Sequence, residues 1–109
     1  MAYNEKLSQK VQDLLLQIPG IEGKKMFGGI GFLLHGNMAC GILNDDLIIR
    51  VGPDGYEDAL GMPHTRVFDT TGRAMKDWVM VAKAGYSSDG DLATWVQRGV
   101  AFASTLPEK

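Results

Sequence analysis

Leu7, Val11, Leu14, Leu15 and Ile18 recur at helical spacing near the start of the chain, with Gln, Lys, Ser and Asp between them. That pattern predicts an amphipathic helix over residues 4–18 that buries one stripe. Asn4 is placed to cap it, Glu5 falls in its first turn, and Pro19-Gly20 stops it. The period then shortens. Residues 23–27 read as a short strand, and 30–35 with 38–43 as a hairpin turning at Gly36-Asn37. A loop of that length pairs His35 with Met38, Leu34 with Ala39, Leu33 with Cys40 and Phe32 with Gly41. In this register the ring of Phe32 covers the bare backbone of Gly41. One face carries Ile30, Phe32, Leu34 and Ala39, the other Leu33, Met38, Cys40 and Ile42. Neither face is polar, so the sheet has to be covered by helices on one side and by further chain or a second subunit on the other.

Asn44-Asp45-Asp46 reads as a turn, and residues 47–51 as the next strand of an antiparallel meander. Gly52-Pro53-Asp54 opens a short helix with Tyr56, Ala59 and Leu60 inward, closed by Gly61 and Pro63. Residues 65–68 form a weak extended segment, 70–73 a turn, and 78–81 a strand of alternating Trp, Val, Met and Val. Ser88 stands three before Asp91, close to a capping box, ahead of the helical stripe Leu92, Trp95, Val96, Gly99, Val100, Ala103 and Leu106. Gly99 within that stripe costs roughly 1 kcal/mol relative to alanine and so predicts a close helix-to-sheet contact. The expected fold is α+β: a two-layer, mostly antiparallel meander with amino-terminal and carboxy-terminal helices packed on one side.

Composition narrows the function classes. At 109 residues and 45% apolar content the chain reads as one domain, 1–109, with a real core. A net charge of −2 argues against a dominant electrostatic attraction to nucleic acid or anionic lipid. No apolar run approaches the ~20 residues that cross a bilayer, and the start has no apolar leader segment, so a cytoplasmic protein is expected. The lone Cys40 supplies neither an internal disulfide nor a multi-thiolate metal site.

The least generic stretch is Lys24-Lys25-Met26-Phe27-Gly28-Gly29-Ile30-Gly31-Phe32. Its G-x-G leads into a hairpin rather than a helix, which removes the phosphate cradle that such glycines otherwise suggest. Gly28 and Gly29 read instead as a bulge or sharp reversal, and Met26-Phe27 as core, subunit interface or partner contact. The order of glycines and aromatics echoes an RNA-recognition strand, with the basic residues displaced ahead of it. Direct nucleic-acid binding would use Lys24, Lys25 and Arg50 if the sheet gathers them; a scattered solvated surface is the plain alternative. In the register above Cys40 and His35 share a face, which is the sharpest enzymatic idea. The plain alternative there is a buried cysteine and a turn-flanking histidine. His35 and His64 are too isolated for a metal site, and Asp45-Asp46 reads as a solvated turn, so neither metal nor cofactor is expected.

The block 25–32, the Gly36-Asn37-Met38 hairpin, the strand Leu47-Ile48-Ile49-Arg50-Val51 and the strand Met75-Lys76-Asp77-Trp78-Val79 together resemble the amino-terminal domain of the TfoX/Sxy family. The similarity covers nearly the whole chain. Asp77 departs from the pattern, in which a small residue precedes the tryptophan. The resemblance implies a two-layer α+β domain with an antiparallel sheet. It also implies a role in regulating natural competence genes, as a coactivator working with the cyclic-AMP receptor protein, and it carries over no catalytic residues. A non-enzymatic interaction domain is therefore expected. It would contact a transcription-factor partner, self-associate as a homodimer and stay off the membrane, with Lys24, Lys25, Met26, Phe27, Gly28, Gly29, Arg50 and Trp78 as the candidate surface.

Overall fold

A computed structural model describes residues 4–26, 29–68 and 77–107. Helix α1 (Glu5–Leu15) begins where Asn4 accepts the Leu7 N–H on its side-chain oxygen at 3.0 Å. The same residue's N–H donates to the Asn44 carbonyl at 2.7 Å, which pins the helix start to a turn of the sheet. Four strands follow as a meander: β1 (Ile21–Met26), β2 (Gly29–Leu34), β3 (Asn37–Leu43) and β4 (Asp46–Arg50). After α2 (Gly52–Leu60) come β5 (Thr65–Val67), β6 (Trp78–Val81) and α3 (Asp89–Ala103), whose cap Ser88 accepts the Asp91 N–H at 3.1 Å. The expected turn at 70–73 lies outside the described residues.

All the strand pairs are antiparallel and the sheet order is β1-β2-β3-β4-β6-β5, so β6 slots between β4 and the three-residue edge strand β5. Helix α3 lies across β3 and β4. Leu7, Val11 and Leu15 of α1 join Leu92, Trp95 and Val96 of α3 over Phe32, Ile42, Leu47, Ile49, Val79 and Val81. Ile48 and Met80, which alternate with those strand residues, are each only 5% exposed, so the centre of the sheet is buried on both faces. The α+β architecture with terminal helices is thus the expected one. At Asp77 the departure from the family pattern coincides with a tight backbone contact. Its carbonyl accepts the N–H groups of Val51 and Gly52 at 2.7 and 3.0 Å, tying the start of α2 to the start of β6.

The β2–β3 hairpin differs from the expected register. Its loop is His35-Gly36, with φ of 50° and 85°, not Gly36-Asn37. Positive φ at both loop residues is the backbone of a type I′ turn, whose twist matches that of the strands. Asn37 belongs to the strand instead. It is 3% exposed, and its side-chain amide donates to the Pro107 carbonyl at 2.8 Å, tethering the hairpin to the end of α3. Pairing runs Leu34 to Asn37 and Leu33 to Met38, then shifts so that Phe32 faces Cys40. Ala39 is the extra residue of this bulge. Ala39 packs with Leu34 and Ala103 while Cys40 enters the main core, so both turn to the helical layer. Phe32 consequently does not cover Gly41. Its ring lies against Gly23 of β1, where a Cβ would meet it at 3.4 Å.

Candidate interaction surface

The sheet register disperses the candidate sites that the expected pairing would have gathered. Strand alternation puts Lys24 and Lys25 on opposite faces of β1, both exposed. Lys24 shares a transverse row with Gly31, Gly41 and Ile48, whereas Arg50 lies two residues beyond Ile48 in β4. Strands β1 and β4 are also separated by about 14 Å across the sheet. The lysine pair and Arg50 are therefore not one cationic patch. Gly29 starts β2 opposite Met26 at the end of β1; Phe27 and Gly28 lie outside the described residues, and of Met26 only the backbone is described.

Cys40 and His35 do not come together as a nucleophile and base. The thiol is fully buried against the helical layer, and burial pushes its pKa up to about 12. His35 occupies the turn with its ring over Gly20, where a Cβ would sit within 3 Å of three ring atoms. Native Cys40 is expected to resist iodoacetamide and to label fully once urea unfolds the chain, as read by intact mass. Its raised pKa also has a stability sign. Between the free thiol value near 9 and the buried value near 12 the unfolded chain releases a proton that the folded chain keeps, so stability is full below pH 9 and falls above it. Tyr86 adds to the same slope, its phenol pushed up first by burial and then by the Asp45 and Asp46 carboxylates. Replacing Cys40 by alanine should flatten the alkaline loss in urea midpoint.

What the fold does assemble is an arginine among aromatic rings. Arg50 pairs with Trp78 across the β4–β6 ladder, and its guanidinium lies 5.3 Å from the Trp78 ring centroid and 5.5 Å from that of Phe102. Phe68 tilts onto Trp78 at 6.1 Å. Each of these four residues is half-buried. Among the described residues no carboxylate forms an ion pair with Arg50, and its Nε is buried without a hydrogen-bond partner. The sequence named Arg50 and Trp78 but not Phe68 or Phe102, which only the ladder and the reach of α3 bring in.

A second feature lies at the opposite edge. An open groove of about 460 Å³ runs between the end of α1 and strand β1, with Leu15, Leu16, Ile18, Ile21 and Phe32 among its walls and Lys25 and Gln12 as its polar members. Leu16 is 77% exposed there. Among the described residues no cluster of His, Cys, Asp and Glu could hold a metal ion, and no helix is long and apolar enough to cross a membrane.

In comparison with known proteins, the family model described as the TfoX N-terminal domain matches residues 13–103. No curated protein and no solved structure matches the chain.

Proposed function

We propose, on the premise that the chain belongs to the TfoX N-terminal domain family, that it is a non-enzymatic regulatory domain working through protein–protein contacts. In this reading it is a transcriptional coactivator of the competence type, acting in the cytoplasm beside a DNA-bound regulator. The observation that carries the reading is the Arg50–Trp78 cluster. Tryptophan and arginine dominate the energetics of protein interfaces because a large ring and a planar cation gain most when a partner excludes water from them. Here both are half-buried already, and the arginine has no internal carboxylate among the described residues. A partner offering an acidic group would pair the guanidinium charge that no described carboxylate meets and complete the stack.

The test is binding to the host's cyclic-AMP receptor protein on promoter DNA, followed by surface plasmon resonance. Saturable binding is expected, weakened roughly thirtyfold by Trp78→Ala. Arg50→Lys, which keeps the charge but loses the planar stack, should also weaken it. Equal retention on bare promoter DNA, with a steep fall as salt rises, would move the function to direct nucleic-acid binding.

A further inference from the structure

We infer that strand β1 is the dimer interface of this protein, pairing antiparallel with β1 of a second copy about a two-fold axis through Gly23. The first ground is an edge that no strand among the described residues pairs. Strand β1 ends the sheet, and residues 22–25 are all exposed. The His35 N–H donates to the Gly20 carbonyl at 3.0 Å, which sets the alternation of the β1–β2 ladder. Glu22 and Lys24 direct their backbone groups to β2, while Ile21, Gly23 and Lys25 direct theirs outward. Those outward groups are a ready template for another strand.

The second ground is charge, which selects the register. A two-fold axis between antiparallel strands stands perpendicular to the sheet, so cross-strand partners share a face. Centring on Glu22 sets glutamate against glutamate, and centring on Lys24 or Lys25 sets lysine against lysine. Centring on Ile21 spends the Gly23 position on the partner's Pro19, which has no N–H to give. Centring on Gly23 joins Gly23 to the partner's Gly23 and Ile21 to the partner's Lys25 through outward backbone groups. It also sets Glu22 opposite the partner's Lys24 on both flanks of the axis. Only this register is both fully hydrogen-bonded and complementary in charge.

The third ground is the groove. The perpendicular axis keeps both helical layers on one side of the joined sheet, so the groove at the end of α1 abuts its counterpart. That contact accounts for a leucine, Leu16, left 77% exposed beside the edge.

Sedimentation velocity over a concentration series tests the pairing on the protein alone, without any regulator present, so its outcome is independent of the coactivator reading. The wild type should be a reversible dimer. Glu22→Lys and Lys24→Glu should each weaken it roughly tenfold by setting like charges opposite one another. The double variant Glu22→Lys/Lys24→Glu should return to near the wild-type constant. Both positions are exposed, so circular dichroism should be unchanged throughout. A wild type that stays monomeric at millimolar concentration overturns the inference. So does a dimer indifferent to the single reversals, and so does a double variant that remains as weak as the singles.

Discussion

Gly99→Ala should lower the unfolding free energy by about 2 kcal/mol or more, measured by urea denaturation. Gly90→Ala in the same helix should raise it by up to about 1 kcal/mol. The two substitutions share one chemistry and one element, and alanine is the better helix former at both. The surroundings decide the sign. At Gly90 a Cβ would meet nothing within 4 Å, so the propensity gain stands alone. At Gly99 a Cβ would fall 2.3 Å from the Ala39 carbonyl oxygen and 3.5 Å from Cγ2 of Ile49. The carbonyl belongs to a strand held on both sides, so it cannot yield as a side chain would. Helix α3 would have to lift off the sheet, loosening Trp95, Val96 and Ala103 together. Equal effects at the two sites would mean that α3 does not bear on β3 through Gly99.

Phe32→Ala should cost about 3–5 kcal/mol in the same measurement, leaving little of the 5–15 kcal/mol typical of a domain. Phe32 is 2% exposed, opposes Cys40 in the ladder and lies against the bare backbone of Gly23. Its removal would open a cavity at the junction of α1, β1 and β2, where the walls are strand backbone and helix and collapse poorly. Phe32→Leu keeps most of the volume and should cost less than half as much. If alanine and leucine prove equally mild, the ring is not the support of β1 that its position implies.

The elements were legible because each carried its own period or cap. Asn4 and Ser88 cap α1 and α3 as the side-chain chemistry predicts, and Gly99 meets the sheet as its misfit in a helix predicts. Register was not legible, because it turned on two competing uses of neighbouring residues. A Gly-Asn pair reads as a turn, yet Asn37 is drawn into the strand by a carbonyl seventy residues away, leaving His35 to take the positive φ. The bulge at Ala39 then reversed the face of Cys40, and with it the one enzymatic candidate disappeared. The cationic candidates failed for a related reason. Whether Lys24, Lys25 and Arg50 gather depends on how many strands intervene, which no local pattern encodes, and β1 and β4 are separated by two. The insertion of β6 between β4 and β5, which puts Trp78 beside Arg50, is likewise a long-range choice that no local pattern encodes.

The two ends of the sheet are not alike, and the difference bears on how many copies can join. Strand β5 has three residues, and Arg66 at its centre is held in an ion pair with Asp46, so that edge offers a short, charged ribbon. Strand β1 is six residues long, and no strand among the described residues pairs its outer side. A protein with two usable edges can add copies at each and grow into a fibre, whereas one with a single usable edge exhausts it on the first encounter. With β1 as the pairing edge proposed above, the asymmetry between β5 and β1 is a stop signal for assembly: concentration should drive this chain to pairs and no further.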